Sequence, residues 1–346
     1  YDGASETHAT PPPRAGVAYP TRRTDLSSHT AAAEYVRPPS SEKPVRVVVG
    51  WDGTNSEAVE YAAWLGRSLP ISVQVMSTTS AAWTKSLPKG KSRKKWLKTA
   101  GEFFRSRVKH ALDEHIPRSQ WSSEVSRLVD RKDAVRSLHE TAAEFDADLI
   151  LLGSQAKTPK GRFRPSTTAD ELMRSCPVPL GLAPRGVKLS KKGVTRVTYA
   201  IVESDDSPAY EDNPTFPGLF FATSLACHLG LPLRIIAFSP TSYDKQQRSW
   251  NEATLGMLDR ARDHAWSFAA KVAPEHLERF DVQSSVAAAK SWKRAIDSVK
   301  WKKGDIMCLG SRPSGQLRTV FVGTREGEFI RHASVPVVIC PSRPER

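Results

Sequence analysis

The sequence has no run of eighteen apolar residues, so nothing in it reads as a membrane-crossing helix. The opening residues are polar and proline-rich and lack the apolar core of a secretory leader, so a cytoplasmic protein is expected. Cysteine is scarce. Cys176, Cys227, Cys308 and Cys340 show no C-x-x-C spacing and read as small buried side chains in a reducing compartment. The nine histidines are scattered, and the closest pair, His110 and His115, is five apart, which puts it on two helix faces. No metal ligand set is assigned. The phosphate loop G-x-x-x-x-G-K-S/T, the nucleophile elbow G-x-S-x-G and the zinc helix H-E-x-x-H are all missing. With no acid cluster and no nucleophile–base pair, no catalytic residue is assigned and the chain is not expected to be an enzyme.

What is present is core-forming sequence and positive charge. Of 346 residues 39% are hydrophobic, enough for two packed domains, and the net charge is +14. Residues 1–44 carry PPPRAG and RPPSSEKP with few large apolar side chains, and read as a flexible polar arm. From Val45 the pattern changes. Val45-Arg46-Val47-Val48-Val49-Gly50 is a β-branched run suited to a strand buried on both faces, followed by a helix capped by Thr54 or Asn55. Strands then alternate with helices: a strand from Ile71, a helix over 94–115, a strand near 122–129, a helix over 132–145, a strand at 148–152, a helix over 167–175 and a strand at 178–182. That alternation predicts right-handed crossovers and a parallel sheet.

The pattern repeats. Asp148 to Gly153-Ser154 matches Asp305 to Gly310-Ser311, Thr167 matches Thr324, and Val178-Pro179 matches Val335-Pro336, all at an offset of 157 residues. Upstream, Arg46-Val47 matches Arg196-Val197, and the second copy carries extra residues between Glu203 and Pro217. The expected domains are 45–184 and 194–341, joined by a linker at 185–193 and followed by a tail at 342–346.

These matches resemble the universal stress protein family in its tandem form. Each copy ends an Asp-led apolar strand in Leu-Gly-Ser, runs through a loop of fixed length to a Thr at a helix start, and closes with a strand after Val-Pro. The family pattern is G-x2-G-x9-G-(S/T), with an Asp ending the first strand. The resemblance implies two tandem five-stranded parallel-sheet α/β domains of the adenine nucleotide alpha hydrolase-like kind, joined as an intrachain pseudo-dimer through their Val-Pro strands. A further homodimer is compatible with it. It also implies ATP as a ligand in many members and no nucleotide in others. The candidate nucleotide-binding residues are Asp52, Gly153 and Thr167 in the first copy and Gly310, Gly323 and Thr324 in the second. Glycines let a backbone approach phosphates, and a helix start adds its dipole and a hydroxyl.

Both copies depart from the pattern. Ala156 and Ser166 replace two glycines in the first, although Lys157, Lys160, Arg162 and Arg164 bring charge to that loop. Pro313, which has no N–H to donate, replaces one in the second, and Glu203 stands one residue beyond the missing Asp. At positive φ each replacement would cost roughly 1–2 kcal/mol or re-route the loop. Binding is therefore expected to be weak or confined to one copy, with the better loop in the second. The related fold that cleaves ATP would show S-G-G-x-D-S where this chain reads Gly50-Trp51-Asp52-Gly53-Thr54.

The charge is concentrated. Lys85, Lys89, Lys91, Arg93, Lys94, Lys95, Lys98, Arg105 and Lys109 are the candidate contacts for a polyanion: nucleic acid, an acidic protein or a multi-subunit complex. Two readings stay open. One is a regulatory or stress-response binding protein with weak adenine-nucleotide binding in one copy. The other is a basic accessory subunit that docks through residues 85–109 and the N-terminal arm, without nucleotide.

Overall fold

Val47, Val48 and Val49 are all fully buried in the first strand, β1 (Val45–Trp51), the double-faced burial that a continuous valine run dictates. The computed structural model describes residues 43–78, 91–129, 134–203, 216, 218–241, 248–310 and 324–341. Most of the arm, the 342–346 tail, most of the extra residues after Glu203, and Lys85, Lys89, Pro313 and Gly323 lie outside the described residues, as do the side chains of Lys91, Arg93, Lys94 and Thr324.

After β1 come α1 (Glu57–Leu65), β2 (Ile71–Thr78), α2 (Lys91–Asp113), β3 (Trp121–Val129), α3 (Ala134–Glu144), β4 (Leu149–Gly153), α4 (Thr167–Ser175) and β5 (Leu180–Ala183). The second half repeats the order: β6 (Arg196–Val202), α5 (Leu219–Leu229), β7 (Leu233–Ser239), α6 (Arg248–Val272), β8 (Val282–Ala288), α7 (Trp292–Asp297), β9 (Asp305–Gly310), α8 (Thr324–Arg331) and β10 (Val337–Cys340). One sheet runs β3-β2-β1-β4-β5-β10-β9-β6-β7-β8. Within each half every pairing is parallel, as the alternation of strand and helix requires.

Side chains alternate across the sheet. Val47 and Val49 pack under α1 and α2, in one apolar layer with α5 and α6 of the other half. Val48 faces the second layer, with α3, α4, α7 and α8. Both layers run through both halves.

The halves join where β5 pairs antiparallel with β10: Leu182 opposite Val337, Gly181 opposite Val338, Leu180 opposite Ile339. At the 157-residue offset Val337 is the counterpart of Leu180 and Ile339 of Leu182, so the register is that of a two-fold axis through Gly181 and Val338. Pairing also covers an edge that each half would otherwise expose. Gly181 permits the close packing here. A Cβ on it would stand 2.2 Å from Leu151 Cδ2 and 3.1 Å from Tyr61 Cε1. Buried Tyr61 reaches across the seam and donates its hydroxyl to the Val337 carbonyl at 3.4 Å. Gly181→Val, which would make the two strands alike at the axis, is expected to cost about 1–3 kcal/mol by overpacking. A lowered urea midpoint at unchanged m-value is the measurement that checks it.

Several boundaries differ from the sequence expectation by one to three residues. The long helix starts at Lys91, three residues early. The Val-Pro strands start two residues late, at Leu180 and Val337. The prolines nonetheless begin the pairing through their carbonyls: Ile150 N–H donates to Pro179 O at 3.0 Å and Met307 N–H to Pro336 O at 2.9 Å. A proline can accept in a ladder but not donate. The 185–193 segment is bonded to both halves. Ser190 accepts from the Arg67 guanidinium at 3.1 Å and donates to Lys303 O at 2.9 Å.

Candidate functional site

In the first half β1 is flanked by β2 on one side and β4 on the other, so the crossovers leave in opposite directions and open a crevice at the strand ends. A cavity of about 410 Å³ lies there. Trp51, Ala58, Met76, Leu138 and Leu152 supply an apolar wall, and Asp52, Asn55, Ser154 and the start of α4 supply polar groups. Asp52, Gly153 and Thr167 all line it, so the structure brings the three first-copy candidates together.

Their local roles are more modest than the motif implies. Asp52 Oδ1 accepts from Thr54 N at 2.9 Å and from Thr54 Oγ1 at 2.6 Å, an Asx turn that closes the loop after β1. Thr54 and Asn55 do not cap α1. Its N-cap is Ser56, whose hydroxyl donates to Glu60 Oε1 rather than capping the helix, and Asn55 donates to Ser154 O at 3.3 Å across the crevice. Thr167 is likewise not the cap of α4. Ser166 accepts from Ala169 N at 3.1 Å, and Thr167 follows as the first helical residue, exposed to the cavity. Ser166 therefore has a use of its own where the pattern has glycine.

The loop between β4 and α4 is tied to itself. Ser154 Oγ donates to Thr158 Oγ1 at 2.9 Å and accepts from Arg164 N at 2.8 Å, and Gln155 N donates to Arg164 O at 3.0 Å. Neither Ala156 nor Ser166 sits at positive φ; the left-handed residue of the loop is Gly161. The replacements therefore carry no backbone strain. The charge expected to draw phosphate points elsewhere. Arg162 reaches the second half, 3.2 Å from Asp297 Oδ1 and 3.3 Å from His332 O. Lys157, Lys160 and Arg164 do not line the cavity, and among the described residues Asp52 is its only charged wall residue.

In the second half Gly310 ends β9, and the chain before α5 is pressed against it. A Cβ on Gly218 would lie 2.8 Å from Leu309 O and 3.1 Å from Gly310 N. Glu203, proposed as a shifted stand-in for the missing Asp, accepts from Thr241 Oγ1 at 3.3 Å. Thr324 is the first residue of α8.

Of the basic candidates, Lys95, Lys98, Arg105 and Lys109 are exposed along α2, while Ala100, Phe104, Val108 and Leu112 bury the opposite face. Sequence reasoning passed over Arg107 within this run. Its guanidinium donates to Gly53 O at 2.8 Å and lies 5.8 Å from the Trp51 ring centroid and 6.0 Å from that of Phe103. It joins the basic helix to the turn that carries Asp52. Only its spacing hinted at this: Arg107 adjoins the buried Val108, and Lys98 and Arg105 point away. Among the described residues no group of three or more His, Cys, Asp or Glu is placed to hold a metal. No described helix is long and apolar enough to cross a membrane.

Residues 43–183 match the profile of the Universal stress protein family. Universal stress proteins of Mycobacterium tuberculosis and Mycobacterium bovis are each 28% identical to this chain over 207 residues, covering 59% of it and 68% of their own length. The crystal structure of a universal stress protein from Archaeoglobus fulgidus shares the fold, with a TM-score of 0.55 at 13% identity over 86% of this chain and 98% of its own.

Proposed function

We propose that this chain, whose residues 43–183 match the profile of the Universal stress protein family, is a stress-response binding protein whose first domain, 45–184, takes an adenine nucleotide mainly by its nucleoside end. The second domain, 194–341, braces the first through the shared sheet. The observation that carries this reading is the make-up of the cavity wall. Its volume, about 410 Å³, falls in the range of small-molecule sites. An apolar slot between Met76, Leu138 and Leu152 suits a base, and a carboxylate at Asp52 accepts from ribose hydroxyls. For phosphate the wall offers the first N–H groups of α4, at Thr167 and Thr168, which have no intrahelical acceptor. It offers no described cation. Binding rather than turnover is the activity.

Titration calorimetry with adenosine, AMP and ATP tests this. The expected affinities are micromolar or weaker, and the three ligands fall within about tenfold of one another, or about 1.4 kcal/mol. Asp52→Ala weakens all three by about tenfold or more, since a hydrogen bond to a charged group is worth about 1.5–3 kcal/mol. Sub-micromolar ATP with adenosine a hundredfold weaker would overturn the reading, because the phosphates would then dominate.

A further inference from the structure

We propose that the outer edge of β8, with the flank of α6 above it, is the interface through which two copies of this chain pair, β8 against β8 antiparallel about a two-fold axis. The seam between β5 and β10 uses one edge of each half, so the ten-stranded sheet ends at β3 and at β8. A free edge offers a row of unpaired N–H and C=O groups, and chains that stay single guard it with charge, proline or a bulge. β3 is guarded. Its pairing with β2 shifts register between Val73 and Val75, and it carries Glu124 and Arg127. β8 reads Val-Gln-Ser-Ser-Val-Ala-Ala, with no charge and no proline, and its 7 residues keep unbroken register with β7. Among the described residues no strand pairs with its outer side.

The helices above the two edges differ in the same sense. α6 lies on β7 and β8 with α5 on its inner side, where Phe268 meets Phe220 and His264 meets Phe216. At 3.6 residues per turn Leu255, Asp259, Arg262 and Trp266 fall on the opposite flank, the one over the β8 edge. Leu255 is 57% exposed and Trp266 38%, two of the three large exposed hydrophobic side chains among the described residues. Asp259 and Arg262 neutralise each other at 3.1 Å. Trp266 meets the ring of Phe280, two residues before β8, edge to face, which ties this flank to the strand. The buried Ala261, Ala265 and Ala269 of α6 match Ala100, Phe104 and Val108 of α2 at an offset of 161 residues. At that offset Lys98 and Arg105 stand where α6 has Asp259 and Trp266. Charge keeps one edge apart, and apolar surface is left beside the other.

The charges at the ends of β8 select a second β8 as the partner. Before the strand, exposed Glu275, Glu278 and Asp281 outnumber Arg279. After it, Lys290, Lys293 and Arg294 are exposed with no acid among residues 290–294. A strand that is negative where it starts and positive where it finishes complements a reversed copy of itself. A two-fold axis at Ser285, the middle of β8, brings each acidic end to the other chain's basic end. It also puts both α6 flanks on one face of the joined sheet. The seam inside the chain has the same construction: antiparallel β5 and β10 on a two-fold, with α1 and α5 in one apolar layer.

Sedimentation velocity on the full chain tests this, and without added nucleotide its result is independent of the cavity. The parent should pass from monomer to dimer between about 1 and 100 µM. Ser285→Lys sets like charges opposite each other at the axis and should raise the dimer Kd about tenfold or more. Ser285 is exposed, and circular dichroism should show that variant folded. Lys290→Glu and Asp281→Lys should each weaken self-association, because each sets like charges together at both ends of the pair. Mixed in equal amounts, these two variants should associate as tightly as the parent, since opposite charges then meet at both ends. A strand that was only damaged would not recover on mixing. Added salt should narrow the gap between each single variant and the parent. A parent still monomeric at about 100 µM, or a dimer whose Kd none of the three substitutions changes, would overturn the proposal. So would hydrogen exchange in which the outward amides of β8 are protected to the same degree at low and high protein concentration, because the edge would then be covered within one chain.

Discussion

Gly218→Ala is expected to destabilise the protein by about 2–5 kcal/mol. Gly218 is the residue before α5, at φ +82° and ψ −12°. A side chain in the left-handed region costs about 1–2 kcal/mol. The added Cβ would also stand 2.8 Å from Leu309 O, 3.0 Å from Leu309 C and 3.1 Å from Gly310 N. These are backbone atoms of β9, which lies between β6 and β10 in the sheet, so no side-chain rotation relieves the contact. Overpacking of this kind adds about 1–3 kcal/mol. The counterpart in the first half, Ser56 before α1, sits at φ −90° with no side-chain cap bond, so Ser56→Ala should change stability by no more than about 0.5 kcal/mol. Urea denaturation of both variants at a common m-value measures the contrast. Equal midpoints would show that the tight approach at Gly310 is not a constraint on the fold. The two strand ends thus meet the neighbouring helix start differently: the nearest atom to a Cβ on Gly153 is Ala58 N at 3.8 Å, an ordinary contact, whereas Gly310 N lies 3.1 Å from the Cβ position of Gly218.

The sheet was legible because burial on both faces leaves a plain mark. Runs such as Val47-Val48-Val49 and Ile150-Leu151-Leu152 can be little else than central parallel strands, and the constant 157-residue offset carries the topology of one half to the other. Element ends were less legible, because a cap is chosen by competition. Ser166 takes the cap of α4 from Thr167, and Asn55 bonds across the crevice instead of capping α1. Charge was least legible of all. Arg162 and Arg107 look alike in the sequence, one in a loop read as phosphate-binding and the other in a basic run. Their partners, Asp297 and Gly53, lie 135 and 54 residues away and are fixed only by the fold. A cation's destination depends on which distant acceptor the packed chain presents, and no local spacing encodes that.

Removal of Asp305 should be the most damaging single change, at about 3–5 kcal/mol for Asp305→Ala. Asp305 opens β9 and is fully buried. Arg196 grips it with both arms, Nε to Oδ1 at 2.9 Å and Nη2 to Oδ2 at 2.6 Å, and Lys302 N–H adds a bond to Oδ2 at 2.9 Å. A second cation, Arg234, lies 3.6 Å from Oδ2, stacked 4.9 Å over the Trp301 ring and bonded to Thr198 Oγ1. Burial and the nearby Arg196 pull the Arg234 pKa down to about 10 against the pull of Asp305, so it still carries its charge at neutral pH. Two guanidinium groups, 21% and 12% exposed, thus share one carboxylate. Without it they are left facing each other with no anion, and breaking a buried pair by deleting one partner typically costs 3–5 kcal/mol. Arg234→Met should cost far less, because it removes a repelling charge, keeps the volume over Trp301 and leaves the Arg196–Asp305 fork whole. The first half supplies the control. There Arg46 and Asp146 pair at 3.2 Å in the open, with side chains 44% and 64% exposed, and Arg46→Gln should cost about 1 kcal/mol or less. Added salt should weaken the exposed Arg46 pair and hardly touch the buried one. Asp305→Ala and Arg234→Met with equal urea midpoints would show that the carboxylate balances no buried charge, and the ordering Asp305→Ala, then Arg234→Met and Arg46→Gln would not stand.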